Sequence, residues 1–198
     1  MTTKAELTKQ FIIETSAPIF NKYGYAATSL STLTKVTGLT KGAIYGNFKN
    51  KEDLAIQAFS YNIGRVFRAV RTEVKKEDTS IGKLIAIVDF YSHYLDHTKK
   101  HGGCPIINVG VDSNNQNEKL LSFVRNVIKQ THDYIANIIE EGKQHGEIKP
   151  EVPSFEWAIR IDTIIQGATF TAGTMNDQIY LDEMAKQLKD IIQTKLKS

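Results

Sequence analysis

The chain has 198 residues, 41% hydrophobic and 24% charged, with a net charge of +3; that length holds one large or two small domains with a real core, and the composition is ordinary for a soluble globular protein. The longest apolar run, Leu84 to Val88, is far too short to span a membrane, and the opening MTTKAELTKQ contains no apolar signal segment. One cysteine, Cys104, excludes an internal disulfide framework and fits a reducing cytoplasm.

The charge is unevenly placed. Of the 25 basic and 22 acidic residues, eight and four fall within residues 1–65, which leaves 17 and 18 beyond. The positive excess therefore sits wholly in the first third of the chain, where a phosphate backbone would attract it.

Taken in order, apolar spacing predicts a first helix over Lys4 to Tyr23, with Leu7, Phe11, Ile12, Thr15, Ile19 and Phe20 in register and Gly24 closing it. Pro18 is expected to kink it, because proline removes one backbone bond. Thr28 to Phe48 then reads as two short helices around a tight turn. In the first, from about Ser29 to Thr37, Thr28 or Ser29 can cap the start and Leu30, Leu33 and Val36 share a face. Gly38 supplies the turn, Thr40 caps the second helix, Lys41 to Asn47, and Ala43, Ile44 and Phe48 form its inner side. Its outer side is Thr40, Lys41, Gly42, Tyr45 and Asn47, all small or hydrogen-bonding. A short helix carried on another helix, with a polar and basic outer face, has the shape of a helix-turn-helix DNA reader.

The remaining chain is helical throughout. A long helix follows from Glu52 to about Lys76, with Asn50 as its cap, and links the basic segment to the rest. Further helices are predicted over Ile81 to Thr98, in a short apolar segment from Cys104 to Val111, over Glu118 to His145, Ser154 to Gly173 and Leu181 to Leu196. No alternating strand pattern, repeat or low-complexity tract interrupts them, so the fold class is all-α.

With the elements in place, Ile19 to Leu54, IFNKYGYAATSLSTLTKVTGLTKGAIYGNFKNKEDL, resembles the TetR family of bacterial transcriptional regulators. Three elements carry the resemblance: F-x-x-x-G-Y-x-x-T-S, then K-G-x-x-Y-x-x-F closing the helix-turn-helix, then K-x-K-E-x-L. Gly46 departs from the family pattern, where histidine is common at that position or the next. The segment Gly102 to Gly110, GGCPIINVG, is similar to a glycine-cysteine segment of some members. The resemblance implies a DNA-binding head over residues 1–50, extending to about 65, and a ligand-binding and dimerisation body over 51–198. It further implies a homodimer joined through its last two helices, acting on a palindromic operator as a repressor that a small, apolar effector releases. Residues 81–198 by themselves carry only general helical patterns.

Roles follow from chemistry and from the matched positions. Thr28 and Ser29 at a helix start, the Tyr45 hydroxyl, and the Lys49 and Lys51 ammonium groups suit phosphates. Thr40, Lys41, Gly42 and Ala43 lie at the start of the reading helix and Asn47 on its outer face; Lys41 is the expected base contact, to guanine. In the body, Phe90, Tyr94, Ile107, Val127, Gln166 and Phe170 are the expected lining of an effector pocket.

Asp89, His93, His97 and His101 fall on one stripe if a single helix carries them, and histidines four apart can bind zinc. The plainer reading, a polar edge of the body, is preferred, and no metal or cofactor is expected. Cys104, with no second cysteine to resolve it, reads as a small core residue rather than a redox sensor. No nucleophile-elbow, phosphate-loop or dinucleotide motif is present. The rival readings are a helical carrier or enzyme with an incidental head, and an activator rather than a repressor.

Overall fold

The computed structural model describes residues 3–198. Ten α-helices follow one another among these residues: α1 Lys4–Ala27, α2 Leu30–Thr37, α3 Lys41–Tyr45, α4 Lys51–Val74, α5 Ser80–Ser92, α6 Tyr94–His101, α7 Pro105–Ser113, α8 Glu118–Gln144, α9 Ser154–Met175 and α10 Ile179–Ile191, the last running into a π-helical turn, Ile192–Leu196. The described residues contain no strand; an isolated bridge pairs Ile148 with Lys197. The helices group into two compact units. The first takes in the described chain up to Val66 together with Lys100–Arg125, and the second Phe67–Lys99 together with Asn126–Ser198.

In the first unit, Thr3 caps α1 in a reciprocal pairing with Glu6, each satisfying a backbone N–H of the first turn. Pro18 does not break the helix. The departure comes at Gly24, whose φ of 80° and ψ of 170° swing the chain out of the helix before one more turn to Ala27. A side chain there would be strained, and its Cβ would run into the Asp112 carboxylate. The core of this unit joins Ile12, Ile13, Ala17 and Phe20 of α1 to Leu33, Ile44 and Phe48, and to Leu54, Ala55 and Ala58 of α4. Leu7 and Phe11, expected on the apolar side of α1, are instead 60% and 47% exposed, because its buried stripe runs through Ile12, Ile13 and Ala17.

In the second unit, α10 packs on α5 and α9, and α5 also packs on α9. Leu84, Val88, Ile139, Ile161, Ile165, Leu181 and Leu188 are almost wholly buried. The helix expected over Ile81 to Thr98 is two helices. It breaks at His93, whose φ of −106° and ψ of 13° leave helical geometry; its backbone N–H turns back to Phe90, and its ring Nδ1 lies 3.0 Å from the Asp89 carbonyl. The break ends the single helix expected to carry Asp89, His93, His97 and His101, although Asp89, His93 and His97 still border one cleft without His101. No helix among the described residues is long and apolar enough to cross a membrane.

Candidate nucleic-acid interface and ligand cavity

The interface is built from capped short helices. Ser29 caps α2: its hydroxyl accepts the Thr32 N–H at 3.1 Å and pairs with the Ser31 and Thr32 hydroxyls at 2.8 and 2.9 Å. These groups are exposed or half-buried at the positive end of the helix dipole. Gly38 ends α2 in the left-handed region, φ 67° and ψ 10°, and its N–H returns to the Thr34 carbonyl. Thr40 opens α3, its hydroxyl accepting the Ala43 N–H at 3.2 Å. Five residues cannot hold a helix alone; buried Ile44, with Leu33 and Phe48 beside it in the core, anchors α3.

This leaves Thr40, Lys41, Gly42 and Tyr45 exposed on one short segment, with Ala43 half-buried behind them. A Cβ at Gly42 would meet nothing closer than the Thr40 hydroxyl at 3.9 Å, so the backbone there is open to a large neighbour. Asn47 is partly used, its amide donating to the Ala43 carbonyl at 2.8 Å and closing α3. Gly46 closes α3 in right-handed helical geometry, its N–H bonding the Gly42 carbonyl at 2.8 Å; a Cβ would lie 3.2 Å from that oxygen, a tight contact but not an excluded one.

Two of the expected phosphate groups are placed differently from the rest. Thr28 is 1% exposed, and its hydroxyl donates to the Gly24 carbonyl at 2.6 Å. Its side chain locks the turn behind Ser29 and offers no surface hydroxyl, which corrects the phosphate role assigned to it. Lys51 is half-buried, its ammonium 4.5 Å from the centre of the Tyr25 ring and 3.5 Å from the Ala26 carbonyl. Burial lowers its pKa, and nearby Asp112 opposes that shift. Lys49 is fully at the surface.

A set of bonds not foreseen from sequence holds Lys100–Arg125 against α1 and the start of α4. Asn21, 2% exposed, donates through its amide to the His101 and Gly103 carbonyls at 2.9 and 2.8 Å. Asn108 donates to the Asn21 and Gly102 carbonyls at 2.9 and 3.0 Å. The Asp112 carboxylate accepts the Tyr25 N–H at 2.6 Å. Glu52 accepts from Asn117 and Lys119 at 3.1 and 3.0 Å, and these bonds hold its carboxyl below the usual range against the opposing effect of desolvation. The signal was present in outline: Asn21 sits one turn after Ala17 on the buried side of α1, where an amide must find partners.

The second unit holds a cavity of about 200 Å³ that opens to solvent. Phe67, Val70 and Arg71 of α4, Ile87 and Tyr91 of α5, Gln130, Thr131, Tyr134 and Ile135 of α8, and Asp162 and Ile165 of α9 line it. Asp162 is 6% exposed and accepts from His132 Nε2 at 3.0 Å and from the Gln166 amide at 3.2 Å; burial nonetheless pushes its pKa up. Of the expected pocket residues, Gln166 reaches this site through Asp162. Phe90 and Tyr94 border a separate cleft with His93 and His97, where the Tyr94 and His97 rings stack at 5.1 Å. Val127 is half-buried on α8, Phe170 is 56% exposed on α9, and Ile107 is half-buried on α7 in the first unit. Among the described residues no group of three or more His, Cys, Asp or Glu is arranged to hold a metal ion. Cys104 is buried at the start of α7.

Comparison with known proteins places this geometry. Residues 12–58 match the family model described as bacterial regulatory proteins, tetR family, and residues 80–188 match the tetracyclin repressor-like C-terminal domain. A TetR-family transcriptional regulator from Cytophaga hutchinsonii is 33% identical in sequence and superposes with a TM-score of 0.90, over 98% of this chain and 96% of that one. A TetR transcriptional regulator from Chloroflexus aurantiacus J-10-FL is 30% identical with a TM-score of 0.93, over 98% of each chain. The fatty acid metabolism regulator protein of Bacillus subtilis strain 168 is 28% identical over 171 residues, 85% of this chain and 84% of that protein. With a capped helix-turn-helix in the first unit, helices throughout the second and both of the family's domains matched in order, the chain belongs to the TetR family and is a transcriptional regulator.

Proposed function

We propose that the chain represses transcription as a homodimer, its two heads reading a palindromic operator until a small molecule in the body releases them. The head is residues 1–50 with the start of α4 to about residue 65, and the body is residues 51–198. The observation that carries the reading is the exposed opening of α3, Thr40-Lys41-Gly42, held outward by buried Ile44. A helix start of this kind fits the major groove, where a lysine can reach the acceptors of guanine while Gly42 lets the backbone approach. Thr40 and Ala43 flank Lys41 at the base edges, and Asn47, tied to the last turn of α3, supports it from the outer face. Ser29, Tyr45, Lys49 and Lys51 take phosphates and set the register; Thr28 keeps the turn behind Ser29 rigid. One short head reads few base pairs, hence the dimer.

The surface of α9 and α10 supports that assembly. Phe155, Ile159, Phe170 and Met175 of α9 and Ile179 of α10 are large apolar side chains between 38% and 59% exposed. Gly167 has open space where a Cβ would stand, and it borders a broad groove with Ala168 and Thr171. Small residues beside exposed apolar ones suit close helix packing between two copies.

The cavity of the second unit is the effector site. Two helices that line it, α4 and α8, also carry residues of the first unit: Glu52 near the start of α4 bonds Asn117 and Lys119 around the start of α8. An effector that fits the cavity in one arrangement of these helices better than in another shifts the population toward it, and the operator is released if that arrangement fits DNA less well. The test is a gel shift with genomic fragments flanking the chain's own gene, repeated at rising salt. Salt-sensitive retention of a distinct fragment supports the reading. No salt-sensitive binding to any duplex overturns it.

A further inference from the structure

The cavity carries a chemical preference, and the inference rests on its reading as the effector site. Its inner wall is made by Val70, Ile87, Tyr91, Ile135 and Ile165, each at most 8% exposed, with Asp162 among them at 6%. Its remaining polar lining, Arg71, Gln130, Thr131 and Tyr134, is exposed or half-buried and so belongs to the mouth. The cavity is therefore an apolar, partly aromatic chamber with one carboxylate inside and one guanidinium at the rim.

The two charges are unequal in what they can do. Arg71 is exposed, lies 5.9 Å over the Tyr134 ring and is screened by solvent, so an ion meeting it there gains little. Asp162 is 6% exposed, and the His132 ring is its counter-charge in the chain when that ring is protonated. His132 and Gln166 each give it one hydrogen bond, but burial still outweighs them and disfavours its charged form. A buried charge in that condition is relieved by a counter-charge brought against it, and the low polarity around it strengthens the attraction. Tyr91, buried in the wall beside Asp162, adds an aromatic side chain against which an organic cation also rests favourably.

We infer that the effector is a lipophilic organic cation, an amine with an apolar body, whose charged end sits against Asp162 inside the chamber. A lipophilic carboxylate would have to place either its charge at the screened rim or its tail against Asp162, and both are poorer.

The test is calorimetric titration of the full-length protein at neutral pH with three probes of one shape: 4-phenylbutylamine, 4-phenyl-1-butanol and 4-phenylbutyrate. The amine is expected to bind at least tenfold tighter than the alcohol, with the carboxylate weakest. Asp162→Asn should bring the amine to within about twofold of the alcohol. The wild-type series stands without the variants if Asp162→Asn fails to fold. A carboxylate that binds tightest, or an amine advantage that survives Asp162→Asn, overturns the cationic class. If the preferred probe is then the alcohol or the carboxylate, and its binding is lost on filling the mouth with Thr131→Trp, the cavity stands as the effector site and the class alone falls. If none of the three binds, both fall.

Discussion

Asn21→Ala probes the clasp inside the first unit. The wild-type amide is 2% exposed and gives one hydrogen bond each to the His101 and Gly103 carbonyls, at 2.9 and 2.8 Å. Each neutral bond is worth about 1 kcal/mol net, and an acceptor left unpaired in a half-buried place costs more. Truncation also removes buried volume. The bond from Asn108 to the Asn21 backbone carbonyl survives, so the segment stays partly held. The amide's own oxygen is buried without a partner, and its removal offsets part of the cost, so the expected loss is about 1–2 kcal/mol, read as a lower urea midpoint at fixed protein concentration. Asn21→Leu separates the causes, because it keeps the volume and strands the carbonyls; it should lose nearly as much. Asn108→Ala in the same background should cost less than it does alone, since both amides tether the same Gly102–Gly103 turn. Asn21→Leu as stable as wild type, or Asn21→Ala losing under about 0.5 kcal/mol, would show that these bonds do not hold the clasp.

Other substitutions test other links. Lys41→Ala should weaken specific DNA binding by about 1–3 kcal/mol and relax discrimination at one operator position; an equal loss on every duplex would remove its base contact. Lys51→Ala should weaken binding uniformly and lower the salt slope by about one; an unchanged slope refutes its phosphate role. Ala168→Trp, at the rim of the α9–α10 groove, should yield monomers by light scattering, and persistent dimers would place the interface elsewhere. Ala172→Trp is no substitute: Ala172 is wholly buried within the chain, and overpacking there should cost about 1–3 kcal/mol or more of stability. For pH, burial raises the Asp162 pKa in the folded state. Between its unfolded and folded values the native protein holds the extra proton, so this contribution to stability is full in acid and lost as pH rises through the folded value. The stability of Asp162→Asn minus that of wild type should therefore climb with pH across that window and then level off, and a difference that falls with rising pH contradicts the assignment.

The head was legible because its determinants are local. Gly38 takes the left-handed conformation, Ser29 and Thr40 accept the first free N–H groups, and Leu33 and Ile44 point inward, all within a few residues of each other. What depends on distant partners was not legible. Pro18 was expected to kink α1 and does not break it; Gly24 was expected to end the helix and the chain does leave it there, but the partner that holds this turn was hidden, the Asp112 carboxylate arriving from 87 residues away to take the Tyr25 N–H. The break at His93 was hidden by an apolar pattern that runs on through Tyr94 and Leu95, both buried in the next helix. Spacing identifies which side of a helix faces inward but not whether it meets another side chain or a void. Tyr94, proposed as pocket lining, is 1% exposed and stacked on His97, whereas the cavity opens beside Tyr91, one turn earlier. Asp162 carried a readable sign, a carboxylate between Ala158, Ile161 and Ile165 on the buried side of α9.

The central claim is that two copies of the Thr40–Ala43 segment read DNA together. Hydroxyl-radical footprinting on a duplex selected from genomic fragments tests it most directly. Two protected, symmetry-related half-sites about one helical turn or a multiple of it apart are expected, both lost with Lys41→Ala at the same protein concentration. Protection of a single unsymmetrical stretch, or a footprint indifferent to Lys41→Ala, would contradict it.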